Sequence, residues 1–188
     1  RSSGHAVTEA DARKARHAFF LRWVEGASAG QCRSILLAHH ADDVAENLLL
    51  RLARGSGVEG LSGPRPVQKF AAGWVALRPL LGLRKAEIET SLHAAGVEWR
   101  TDSSNLRPFN ARNRIRQEVL PGLARAVERD FVSGACRSRS LLDEVDQALD
   151  CWLDQVLRPD DVANGCWQAL QGLPAALYRR FLDRWLAA

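Results

Sequence analysis

From Thr8 to Val24 (TEADARKARHAFFLRWV) a capping residue precedes apolar positions at Ala12, Ala15, Phe19 and Trp23, the spacing of a helix. A Gly/Ser/Ala linker (Gly26 to Gly30) separates it from Ser34 to Ala38 (SILLA), a short apolar run that predicts a buried, parallel strand. From Asp42 the period returns to 3.6. Ala41, Ala45 and Leu49 form one stripe and Val44, Leu48 and Leu52 the next, until Gly55, Gly57 and Gly60 open a loop after Arg54. Trp74 to Leu77 (WVAL) predicts a second strand, and Lys85 to Ala95 a further helix. After Gly96 a polar stretch (Arg100 to Asn110) leads into helical patterns from Ala111 to about Leu157, with a break expected near Pro121. Leu173 to Ala188 predicts one more amphipathic helix, whose stripe is Leu177, Phe181, Leu182 and Trp185.

Strand, helix, strand, helix is the order of an α/β fold with a parallel sheet. The mostly helical remainder follows, with a boundary expected between Arg158 and Asn164, so that residues 1–158 form the first unit and 159–188 a linker and the start of a second. No segment approaches the roughly 18 consecutive apolar residues of a membrane helix, and nothing resembles a secretory signal. There is no methionine and the chain starts at Arg1, which suggests a piece of something longer.

Composition changes the picture at two points. Cys32, Cys136, Cys151 and Cys166 include no pair at a two-residue spacing, so free thiols and a cytoplasmic setting are expected. Of 26 basic residues 23 are arginine, and the net charge is +4. Arginine's forked guanidinium suits phosphate, which favours a nucleic-acid partner, although a GC-rich genome produces the same bias.

Candidate chemistry begins where the first strand ends. Ligands of open parallel sheets bind beyond the carboxyl ends of strands, and His39-His40-x-Asp42-Asp43-x-x-Glu46 stands there, entering a helix N-terminus. Asp42 and Glu46 are four apart, Asp43 and Glu46 three apart, so the carboxylates can converge in the first turn and suit a hydrated magnesium ion. The alternative is plain capping, with Asp42 or Asp43 as the cap and Glu46 closing a capping box. Two adjacent histidines can equally be packed side chains, or ligands in a metal-dependent hydrolase built from His39, His40, Asp42 and Asp43. Arg112, Arg114 and Arg116 dominate the most basic stretch of the chain and are expected to fan toward an RNA backbone, unless Arg112 or Arg116 braces a core carboxylate instead. Trp23, Trp152 and Trp185 have helical spacing and are assigned to core or interdomain packing.

The stretch Ala38 to Gly57 resembles the second signature of the tRNA(Ile)-lysidine synthetase family, N-type ATP pyrophosphatases in which HH-x-DD-x-x-E-T precedes a leucine-rich helix and R-G-x-G. Gly60-Leu61-Ser62-Gly63, Arg78-Pro79-Leu80-Leu81, Asp102-Ser103-Ser104-Asn105 and Arg112-Asn113-Arg114-Ile115-Arg116 match further motifs in the same order. Asn47 stands where the family has threonine and Ser103 where it has proline. The family's S-G-G-x-D-S phosphate loop is not found, since only Ser2-Ser3-Gly4 precedes the first helix, so weak ATP binding by the chain alone is expected, with a non-catalytic RNA-binding piece as the alternative.

The resemblance implies an adenine nucleotide alpha hydrolase-like, partly Rossmann-like domain of residues 1–158, followed by a helical tRNA-recruiting unit. It implies ATP and Mg2+ as cofactors, with tRNA(Ile) and L-lysine as partners. ATP adenylates the C2 oxygen of the wobble cytidine, and lysine then displaces AMP to leave lysidine. On this reading Asp42, Asp43 and Glu46 are catalytic. Asp43 and Glu46 hold magnesium or deprotonate the amine. His39, His40, Arg54, Gly55 and Gly57 line the nucleotide or cytidine pocket. With the rest of the helical unit absent, the Leu177–Trp185 stripe is expected to be exposed or to pair with a second copy in a homodimer.

Overall fold

A computed structural model describes residues 9–26, 33–70, 73–100, 111–158, 161 and 167–187. Helix α1 (Glu9–Glu25) is followed by strand β1 (Ser34–Leu36), helix α2 (Ala41–Ala53), the single turn α3 (Val58–Leu61), strands β2 (Val67–Lys69) and β3 (Val75–Leu77), and helix α4 (Lys85–Ala94). Then come α5 (Ala111–Arg114), a π-helical turn (Ile115–Val119), α6 (Leu120–Val127), the long α7 (Phe131–Val156), a 3-10 turn (Trp167–Leu170) and α8 (Ala175–Ala187). The D-S-S-N stretch, Ser2-Ser3-Gly4, Cys32, Cys166 and most of the 158–164 boundary lie outside the described residues.

The sheet runs β1-β3-β2. β1 and β3 are parallel, Ile35 facing Ala76, as their apolar runs predict. β2 was not foreseen and lies antiparallel to β3, Gln68 facing Ala76, so the sheet is mixed rather than wholly parallel. Three residues (VQK) just after Pro64 and Pro66 carry too little alternation to read as a strand. The sheet's core holds Val24, Trp74 and Ala76, with Leu21, Ile35, Leu37 and Phe70 packed on it.

Helix α1 forms as expected but buries a different face. Val24 is buried, His17 and Phe20 stand edge-on to Trp74, and Phe19 and Trp23 are exposed. The inward stripe is thus His17, Phe20, Leu21, Val24, one position away from the stripe through Phe19 and Trp23. Both stripes have helical spacing, and the sheet's aromatic pair decides between them. Trp152 and Trp185 are also exposed, 41% and 44%, so neither is a core residue in this chain.

Helix α2 buries Ala41, Ala45 and Leu48 against Val132 and Ala135 of α7. Each large aliphatic side chain sealed there contributes about 1.5–3 kcal/mol of transfer free energy. Pro121 does not end the 111–127 helix: it follows directly on the π-helical turn Ile115–Val119, where the i→i−4 ladder is already interrupted by the Leu120 N–H bond to Ile115 O. The chain breaks instead at Glu128, which takes a left-handed φ of 49°, just before Asp130 caps α7 through the Val132 N–H.

At the far end Leu153, Leu157, Leu170, Leu177 and Phe181 form a separate cluster joining α7 to α8. Leu177 and Phe181 are the buried half of the expected stripe, while Leu182 and Trp185 are its exposed half. Beside that cluster runs an alternating row of charges. The buried Asp146 accepts from both Arg65 and Arg180, Arg180 also meets Asp150 at 2.8 Å, and Arg184 spans Asp150 at 2.7 Å and Asp154 at 2.5 Å. Among the described residues no helix is long and apolar enough to cross a membrane.

Candidate functional site

β1 delivers Leu37, Ala38 and His39 to the sheet's carboxyl edge, where Leu37 N–H still bonds to Leu77 O at 2.8 Å. His40 is the N-cap of α2, and its backbone N–H donates to Asp43 Oδ2 at 3.0 Å. Asp43, not Glu46, therefore closes the capping box. Asp42 links α2 to α4: its Oδ2 accepts the Lys85 N–H at 2.8 Å, capping α4, and lies 3.4 Å from His40 Nδ1, while its Oδ1 lies 3.4 Å from Arg84. Arg84 in turn bonds to Asp130 at 2.7 Å, so the starts of α2, α4 and α7 are tied together by charge.

Glu46, one turn deeper on α2, is fully buried. Arg116 grips it through Nε at 2.5 Å and Nη2 at 3.1 Å, and Arg112 Nε lies 3.1 Å from its other side. Arg116 also reaches Asp43 Oδ1 at 3.5 Å. Burial pushes the Glu46 carboxyl above its usual range, against the pull of the Arg116 hydrogen bond, while that same bond raises the Arg116 guanidinium. Arg112 and Arg116 are four apart on a continuous helix, so they point the same way, and Arg114 is left exposed. Arg112 and Arg116 thus take the bracing alternative, a buried carboxylate in place of an RNA backbone, and only Arg114 is turned outward.

Asp42 and Asp43 share the His40 ring, at 3.4 and 3.5 Å, and Asp43 and Glu46 share Arg116. Every oxygen of Asp43 and Glu46 already faces a donor, so that pair offers no seat for magnesium as arranged. Among the described residues no three His, Cys, Asp or Glu side chains stand together in a way that could hold a metal ion. His40 meets Asp42 and Asp43, but its two ring nitrogens and both carboxylates are turned to each other and to helix starts, and His39 does not join them, so the four-residue cluster required by a metal-dependent hydrolase is not assembled.

A cavity of about 690 Å³ opens beside this cluster. His39 and Arg112 line it, whereas His40, Asp42, Asp43 and Glu46 do not. Gly57 is on its wall but Arg54 and Gly55 are not. Sequence reasoning missed most of the remainder: Arg51 and Asn47 from α2, Arg65 and Gln68 near β2, Arg78 after β3, and an aromatic side made by His17, Phe20, Phe70 and Trp74. The R-P-L-L and G-L-x-G matches were the available signal, and they came without roles. Phe70 and Trp74 stack at 3.9 Å. The loop carrying Arg65 is clamped on both sides: Asn47 Nδ2 donates to Gly63 O at 2.9 Å, and Arg78 donates to Arg65 O at 2.8 Å and to Gln68 Oε1 at 2.9 Å. Burial lowers the His39 pKa from its ordinary 6.5, helped by Arg78, Arg112 and Arg16 and opposed by Asp43. Its imidazole is therefore neutral at neutral pH, facing an arginine-rich space.

A cationic cavity near a parallel strand's carboxyl end places the chain among α/β domains whose architecture suits phosphorylated ligands. The comparison with known proteins agrees and is narrower: residues 2–123 match the PP-loop domain model, and the chain belongs to the PP-loop family of ATP-binding domains. It is 43% identical over 146 residues to a tRNA(Ile)-lysidine synthase of Geobacter sulfurreducens, covering 78% of this chain and 30% of that one. It is 36% identical over 181 residues to one of Salinispora arenicola, covering 94% and 53%. A third, from Chromobacterium violaceum, is 35% identical over 190 residues, covering all of this chain and 42% of the relative. The chain thus spans at most about half the length of these relatives.

Proposed function

We propose that this chain supplies the central part of a tRNA(Ile)-lysidine synthase, which uses ATP to join L-lysine to C2 of the wobble cytidine of tRNA(Ile) in the cytoplasm. Residues 1–158 belong to the ATP-handling domain and residues 159–188 begin a helical tRNA-recruiting unit. The observation that carries the reading is that His39 and Arg112 line one arginine-rich cavity, Arg112 being braced from behind by Glu46 together with Arg116.

Adenylation makes the C2 oxygen a leaving group, so the remaining demands are alignment, charge stabilisation and removal of a proton from the incoming amine. Glu46 is too thoroughly engaged to be that base. His39 is the cavity group able to accept a proton, and Asp43 acts on it through its charge. Arg112, held by Glu46, offers its remaining N–H groups to the phosphate or to the oxygen gaining charge. Arg114 is the exposed member of the trio and suits an RNA phosphate. The Asp43/Glu46 geometry does not fit a magnesium ion, and no step is assigned to one.

The test is a chimera in which the matching 146-residue region of the Geobacter enzyme is replaced by this chain's. Lysidine in a tRNA(Ile) transcript, read by mass spectrometry after incubation with ATP and lysine, is the expected product. A folded chimera that makes none refutes the proposal.

A further inference from the structure

The arginines around the cavity differ in how much of their charge is already answered. Arg65 faces Asp143 at 2.7 Å and the buried Asp146, and Arg112 faces Glu46 at 3.1 Å. Arg51, in the last turn of α2, and Arg16, on α1, form no ion pair among the described residues. Glu59 is the one described acid lining the cavity, and it pairs with neither. Arg16 is exposed and Arg51 half-buried, so both guanidinium groups keep donors available to an anion from outside.

The loop after α2 shapes a place for that anion. Ser56 N–H bonds to Arg51 O at 3.0 Å, folding the loop back onto the helix end. Gly60 then passes so close that a Cβ on it would lie 2.9 Å from Ser56 Cβ, 3.3 Å from Ser56 Oγ and 3.7 Å from Arg51 Nη1. Any side chain at position 60 would therefore push Ser56 aside, and with it the hydroxyl that stands beside the Arg51 guanidinium. Hydroxyl plus guanidinium is a donor set for a phosphate oxygen, and the missing side chain keeps it accessible.

We propose that Arg51 and Ser56, facing each other across Gly60, form a phosphate-binding subsite of the cavity, with Arg16 as its second cation. The site's chemistry is that of a phosphate group, whether an RNA backbone phosphate beside the target nucleotide or a free polyphosphate. Only the choice of source rests on the proposed function. The 188-residue protein is titrated with two probes, a labelled tRNA(Ile) anticodon stem-loop by anisotropy and inorganic pyrophosphate by calorimetry. Variants are Arg51→Gln, Ser56→Ala and Gly60→Ala, with the exposed Arg179→Gln as control.

Arg51→Gln is expected to weaken one probe about tenfold. If that probe is RNA, the slope of log K against log salt falls by roughly 0.7–0.9, the loss of one phosphate contact. Gly60→Ala weakens the same probe without touching charge, and Ser56→Ala does so by a few-fold; should Gly60→Ala fold poorly, the other two variants decide. Loss confined to RNA identifies the backbone as the source, and loss confined to pyrophosphate identifies a free polyphosphate. Wild-type protein that binds neither probe, or Arg51→Gln and Ser56→Ala proteins that bind both as wild type does, overturns the subsite. Arg51-dependent binding in a protein whose chimera makes no lysidine sinks the proposed function and leaves the subsite standing.

Discussion

Replacing Glu46 by glutamine tests the centre of the site. The substitution keeps the shape and removes one negative charge from a fully buried position faced by two guanidinium groups. An amide oxygen can accept one of the Arg116 bonds, but its NH2 group is turned against a second donor, so Arg112 or Arg116 loses its partner. Breaking a buried ion pair by removing one member costs about 3–5 kcal/mol when the survivor is sealed in. Arg112 and Arg116 are 31% and 29% exposed, so water recovers part of that, and a loss of about 2–4 kcal/mol is expected. For a protein of this size the melting temperature then falls by roughly 4–16 °C. Differential scanning calorimetry at neutral pH measures it. Lysidine formation by the chimera should fall with the same substitution even at temperatures where the protein remains folded, because Arg112 is no longer aimed at the cavity. A melting point within 1 °C of wild type would refute the assignment of Glu46 as the anchor of both arginines.

Three further outcomes follow from particular groups. His39→Asn should lower the chimera's turnover by about 10²–10⁴-fold. In the unsubstituted chimera the acid limb of the rate should have its midpoint below 6.5, since the lowered pKa keeps the imidazole neutral to more acid pH; a midpoint above that value contradicts the base assignment. Burial opposes ionisation of Asp150, but the hydrogen bonds from Arg180 and Arg184 outweigh it and hold its pKa below 3.8. Its contribution is therefore present above that value and lost as pH falls through the lower folded pKa, so hydrogen exchange in α8 should accelerate on acidification before exchange in α2 does. Cys151 is exposed, whereas burial raises the Cys136 thiol, whose sulfur sits 3.8 Å from Ala41 O, so peptide mapping after brief alkylation should find Cys151 labelled and Cys136 protected.

The helices and the two parallel strands were legible because each carries several turns of period or an unbroken apolar run. β2 was not, since three residues following two prolines have no period to read. The choice of inward face on α1 was also out of reach, because Phe19/Trp23 and Phe20/Val24 are equally good stripes until Trp74 is placed. In the site, the spacing of His39, Asp43 and Glu46 announced a cluster at a strand end, but not that Asp42 would be drawn off by the N-terminus of α4. The partnership of Glu46 with Arg112 and Arg116 crosses some 70 residues of sequence, and only its bracing alternative was readable. The cavity's other wall is assembled from residues on α1, β2 and β3, a convergence that no local spacing encodes.

The alternating Arg65–Asp146–Arg180–Asp150–Arg184–Asp154 row works like a zip fastened at one end. Asp146 is sealed from water, whereas Asp154 at the other end is 63% exposed, so salt loosens the outer teeth first and the inner one last. Leu177 and Phe181 keep α8 seated while those outer pairs open, so screening at Asp150 and Asp154 reaches the cavity wall only through the Arg180–Asp146–Arg65 link.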